Sequence, residues 1–195
     1  MNSIYLKSTL LLSTVILLAG CASPQISYVD PNAVNNLTTN FSQNDLRSVA
    51  QDMSASLIQS GKMNRCKSFT ISPVKNDTDQ YVDTSVMTNA MADALTNSSA
   101  VNSVYVVSTQ EMSNQTGELD RQDKSGYYDQ STTAKTGKMR GAQCRIDGSL
   151  TNSTSVGPDG KTTLVSYTFF VQVFDVEQGA AVWRNSKSIS KAKTY

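Results

Sequence analysis

The sequence predicts an α/β fold: a mixed β-sheet of about five strands with α-helices packed on its faces, ending in a C-terminal antiparallel meander. Three observations predict it. Apolar residues recur at three- and four-residue spacing in the first half, that half also supplies two extended runs, and the second half holds three strand-like segments joined by hairpin turns. A helical first half that supplies two strands, feeding three hairpin-linked strands, implies a mixed sheet.

Ser42 can cap a first helix in which Leu46, Val49, Ala50, Met53, Leu57 and Ile58 share one face. Asp45 in its first turn complements the dipole, and Gly61 ends it. Ser68 to Val74 alternates apolar with polar and reads as a strand, closed by the turn formers Asn76, Asp77 and Asp79. A second helix starts at Asp83 or Thr84, places Val86, Met87, Ala90, Met91, Ala94 and Leu95 on one stripe, and stops at Asn97-Ser98-Ser99. Methionines at that spacing are core filler rather than a metal site. Val104 to Val107 is expected to be a buried strand, and Thr109 to cap a third helix running towards Leu119.

Gly117 to Gly141 is polar and predicts a loop followed by a short helix around Thr132 to Met139. Cys144 to Leu150 opens the meander, which turns at Gly157-Pro158-Asp159-Gly160-Lys161. A long strand through Tyr167, Phe169, Val171 and Val173 has the aromatic and β-branched content of a central position. Glu177-Gln178-Gly179 turns it into a last strand from Ala181 to Ile189, in which Trp183 is expected to pack across the hairpin.

The 195 residues suit one domain with tails, and 17 Lys+Arg against 16 Asp+Glu give a net charge of +1. So balanced a chain has no field with which to gather nucleic acid. It contains no histidine, which excludes Ser-His-Asp and Cys-His catalysis and every histidine-ligated metal. The carboxylate pairs Asp77 with Asp79 and Asp120 with Asp123 read as turn formers and solvated faces rather than a general acid and base. No enzyme activity and no cofactor is expected.

Met1 to Gly20 carries one cation, Lys7, and an apolar run from Leu10 to Leu18, the pattern of a secretory signal too short to remain as a span. Leu18-Ala19-Gly20-Cys21 resembles the bacterial lipobox, which implies cleavage before Cys21, acylation of that residue and firm anchoring by several acyl chains. By the same resemblance, Ala22-Ser23 directs the protein to the outer membrane, facing the periplasm. The expected organisation is a signal over 1–20, a lipid-anchored linker over 21–40 rich in Ser, Pro, Asn and Thr, and a globular domain over 41–195. Fully extended, about 19 linker residues reach roughly 65 Å.

With Cys21 lipidated, Cys66 and Cys144 remain as an even pair in an oxidising compartment. They are either bonded or two unpaired thiols. If the strands they precede run parallel, their Cα atoms come within about 6 Å and a disulfide can form.

Three stretches together resemble the LpoB family of outer-membrane lipoprotein activators of class A penicillin-binding proteins: Asn44-Asp45-Leu46 through Met53 to Ile58; Val74 to Asp79 followed by Val82-Asp83-Thr84 and the helix to Leu95; and Ser166-Tyr167-Thr168-Phe169 through Phe174 to Gly179 and Val182-Trp183. The last stretch is also similar to the TolB N-terminal domain and to the curli-secretion lipoprotein CsgG. The LpoB resemblance implies a monomeric, non-catalytic module that binds a class A penicillin-binding protein, a bifunctional peptidoglycan synthase, and activates it by population shift, so regulating cell-wall synthesis and cell shape. The best-known members have a longer, Pro-rich tether, so with the short linker here either the synthase's periplasmic part comes closer or the linker, first helix and wall spacing are arranged differently. The CsgG likeness implies the alternative, an envelope assembly or secretion lipoprotein without enzymatic activity. For the docking face, Tyr127 and Tyr128 with Arg121 combine aromatic anchors with charge, and the hairpin tip with Asp159 and Lys161 is a second candidate.

Overall fold

The computed structural model describes residues 38–195. The signal, Cys21 and the linker as far as residue 37 lie outside the described residues. Helix α1 (Gln43–Gln59) begins with a capping box: the Ser42 hydroxyl accepts from the Asp45 N–H while Asp45 Oδ2 accepts from the Ser42 N–H at 2.7 Å. Gly61, at φ 66°, turns the chain out of the helix into a 3₁₀ turn, Lys62–Arg65.

Strand β1 (Ser68–Ile71) and strand β2 (Lys75–Asp77) both pair parallel with β4 (Cys144–Val156). From Ile71↔Ile146 to Lys75↔Ser149 the first chain advances one residue more than β4 does. The extra residue is a bulge around Pro73, which has no N–H to give the ladder. Asn76 and Asp77, expected in a turn, therefore lie in a sixth strand. Their turn starts one residue later, where the Asn76 side chain accepts from the Thr78 N–H at 3.0 Å.

Helix α2 (Ser85–Thr96) follows Thr84, whose hydroxyl donates to the Val74 carbonyl at 2.7 Å instead of capping the helix. Strand β3 (Val104–Tyr105) is a two-residue edge, not the buried strand expected over 104–107: Val104 is 48% exposed. With β1 on one side only, it has no neighbour to cover it. Helix α3 (Thr109–Lys124) outruns the expected end near Leu119, and its capping box is Ser108 with Glu111 rather than one built on Thr109. No helix forms over 132–139; turns and irregular backbone occupy that stretch, with Gly137 at φ 74°.

Strands β5 (Thr162–Asp175) and β6 (Ala180–Thr194) complete an antiparallel meander with β4. The order is β3-β1-β4-β5-β6, with β2 beside β4, giving six strands among the described residues. Period-two burial puts Cys144, Ile146 and Leu150 of β4, Tyr167, Phe169, Val171 and Val173 of β5, and Phe69 and Ile71 of β1 on one face. Leu46, Val49, Met53 and Leu57 of α1 and Met87, Met91 and Leu95 of α2 close that core. Gly148 lets Phe169 lie against the sheet, because a Cβ there would sit 2.9 Å from the ring and 3.0 Å from Val74 Cγ2. Trp183, opposite Val173, is half-buried against the same core. Among the described residues, no helix is long and apolar enough to cross a membrane.

Candidate functional site

The last turns of α3 and the loop after it hold the aromatic candidates. Arg121 forks onto Glu118, with Nε to Oε2 at 2.8 Å and Nη2 to Oε1 at 2.6 Å. Its guanidinium also lies over the Tyr128 ring, 5.1 Å from the centroid, and donates to the Tyr128 hydroxyl. The hydrogen bonds from Arg121 and Gln122 hold the Glu118 carboxyl down at about 2. Gly126, at φ 71°, reverses the chain so that Tyr128 folds back onto the helix. Tyr127 does the opposite and stands 92% exposed. The structure thus brings Arg121 and Tyr128 together and leaves Tyr127 facing solvent.

At the hairpin tip, Asp159 Oδ1 accepts from the N–H groups of Lys161 and Thr162 at 3.0 Å each, and Oδ2 accepts from the Thr162 hydroxyl at 2.9 Å. These bonds lower its pKa. Asp159 is therefore occupied in forming the turn, with Gly160 at φ 65°. The Lys161 side chain is exposed at the same tip. Cys66 and Cys144 are bonded, with Cα atoms 5.7 Å apart, tying the entry to β1 to the start of β4.

The carboxylate pairs do not converge. Asp77 is paired with Lys75 at 2.8 Å, Asp79 accepts from Asn152 at 2.6 Å, and Asp120 is paired with Lys124 at 3.0 Å. Among the described residues there is no group of three or more His, Cys, Asp or Glu side chains placed to hold a metal ion.

Two features escaped the sequence because their parts are distant in the chain. One is a clamp just before α1: Phe41 stacks on Tyr167 with centroids 4.6 Å apart, while Gln80 bonds the Phe41 N–H, the Phe41 carbonyl and the Tyr167 hydroxyl. The other is the uncovered face of the sheet. There Asp147, Gln172 and Arg184 form one cross-strand row, and a groove of about 470 Å³ runs beside Phe170 and Pro73.

Residues 45–189 match the family described as "Peptidoglycan-synthase activator LpoB". The chain belongs to the LpoB family. Solved structures similar to this LpoB-family chain include the LpoB C-terminal domain from Salmonella enterica, at 16% identity over 74% of this chain and 98% of that one, with a TM-score of 0.48. The LpoB C-terminal domain from Escherichia coli aligns over the same shares at 16% identity and a TM-score of 0.45. Lipoprotein GNA1162 from Neisseria meningitidis aligns at 16% identity over 65% of this chain and 83% of that one, with a TM-score of 0.40. No curated protein sequence matches the chain. Family membership rests on the match over 45–189, and the family is described as one of peptidoglycan-synthase activators, regulatory rather than enzymatic.

Proposed function

We propose that this protein is an outer-membrane lipoprotein, acylated on Cys21 and facing the periplasm, that binds a class A penicillin-binding protein and raises its rate of glycan polymerisation and cross-linking. The family match over 45–189 carries this reading. The Leu18-Ala19-Gly20-Cys21 junction supplies the anchor. A regulator of this kind acts by touching the active conformation of its target better than the inactive one, so the rate gained cannot exceed its differential affinity for the two.

In this reading Tyr127 is the docking anchor, held out by a loop that Arg121 and Tyr128 brace from beneath. A large aromatic with few rotamers, already exposed, binds at small entropic cost. The test mixes the delipidated mature chain with its cognate synthase and follows glycan chain formation. A rate increase that Tyr127→Ala reduces is the expected result, and no stimulation at saturating chain overturns the reading. Light scattering on the same sample checks the monomer; a ring would favour the assembly role instead. Fatty-acid labelling lost in Cys21→Ala checks the anchor.

A further inference from the structure

Strand β6 is the outer edge of the sheet and runs 15 residues, from Ala180 to Thr194, with no proline and no acidic residue. Its hydrogen-bonding parity follows from the Tyr195 N–H, which donates to the Lys161 carbonyl at 3.1 Å. In an antiparallel ladder the bonded pairs then recur at Lys193↔Thr163, Lys191↔Val165, Ile189↔Tyr167 and Lys187↔Phe169. The alternate residues, Ser186, Ser188, Ser190, Ala192 and Thr194, turn their backbone N–H and C=O groups away from β5. The Ser186 N–H accordingly takes the Asn185 side-chain oxygen, at 2.8 Å.

An exposed row of this kind is a template for another strand, and proteins usually blunt it with a lysine laid across the edge, a proline or a short strand. Here the lysines that could do so are drawn over the core face onto α1. Lys191 pairs with Asp45 at 2.6 Å and Lys187 with Asp52 at 3.1 Å. With Lys187 and Lys191 neutralised by those aspartates, the edge keeps Arg184 and Lys193 as its exposed cations, against no carboxylate within the strand. Two copies pairing edge to edge would bring like charges together, whereas an acidic strand would find complementary ones.

We infer that β6 is a docking edge that takes an extended, acidic strand of the synthase as a seventh strand, by backbone pairing at Ser188, Ser190 and Ala192. This rests on the proposed function and names a second contact for the same partner, beside Tyr127.

Proline is tolerated at an edge position whose N–H faces out, so Ser188→Pro and Ser190→Pro remove an outward donor and leave the β5 ladder intact. Synthase binding by the full mature chain, measured with each proline variant and with the Arg184→Glu, Lys193→Glu double variant, is expected to weaken by roughly tenfold or more. Hydrogen exchange on the wild-type complex is expected to slow at Ser188, Ser190 and Ala192. The charge variant, on exposed side chains, keeps the test decisive should the prolines unfold the strand. Undiminished binding by all three variants, or unchanged exchange at those amides, overturns the docking edge while the activator reading stands. Absence of any synthase binding overturns both, and slowed exchange with the chain alone at high concentration would assign the edge to a second copy instead.

Discussion

Asp45 shows how one residue can serve two levels of structure. Its Oδ2 caps α1 through the Ser42 N–H and hydroxyl, both at 2.7 Å, and also takes Lys191 Nζ at 2.6 Å from the far end of the chain. Burial pushes its pKa up, but the bonds from Lys191 and Ser42 outweigh this and leave it below 3.8. A carboxyl lowered in the fold contributes stability that is fully present above the unfolded value and is lost as pH falls through the folded one. The unfolding midpoint is therefore expected to fall progressively as pH drops below about 5, and Asp45→Asn should flatten that part of the profile. At neutral pH Asp45→Asn is expected to cost about 3 kcal/mol in denaturant titration, because it weakens the cap and strands a half-hidden ammonium. Gly148→Ala should cost about 2 kcal/mol by the same assay, since the added Cβ would meet the Phe169 ring at 2.9 Å and Val74 Cγ2 at 3.0 Å, both packed in the core. The cap was legible in the sequence, from Ser42 and Asp45 three residues on. The partner 146 residues away was not, and neither was the crowding at Gly148, because sequence spacing carries no information on which side chains meet across the sheet.

Among the elements, α3 contrasts most with its neighbours. Its capping box forms, yet none of its described side chains is buried, so it owes its shape to local bonds such as Glu118 with Arg121 and Asp120 with Lys124. Gly117 sits in its interior with nothing within 4 Å of an added Cβ. Gly117→Ala is therefore expected to slow amide exchange across α3 by about five-fold, the equivalent of roughly 1 kcal/mol of helix propensity, with no change in the core. The amphipathic helices α1 and α2 and the meander were readable because their periods, 3.6 and 2, stay regular over many residues. Shorter elements were not: Val104 to Val107 has the composition of a buried strand and ends as an exposed edge, and Lys75 to Asp77 has that of a turn and pairs with β4. In both, sheet neighbours outvote composition.

For the whole molecule, the bond between Cys66 and Cys144 spans 78 residues and ties the helical half to the meander. Replacing both by alanine is expected to lower stability by about 4 kcal/mol in the chain-entropy model, measured by denaturant midpoint against the same protein unreduced. Reductant should have the same effect on the wild type and none on the variant. The sequence alone determined the mixed α/β class, most helix and strand assignments and the family, because these depend on periodicity, caps and motifs that neighbouring residues carry together. Only the tertiary structure decided that the two cysteines meet, that Lys191 seals α1, that Tyr128 folds back while Tyr127 stands out, and that β6 is left as the open edge. Each of those is a contact between segments far apart in the chain, and which of them come together is settled by the packing of the sheet, which strand composition does not encode.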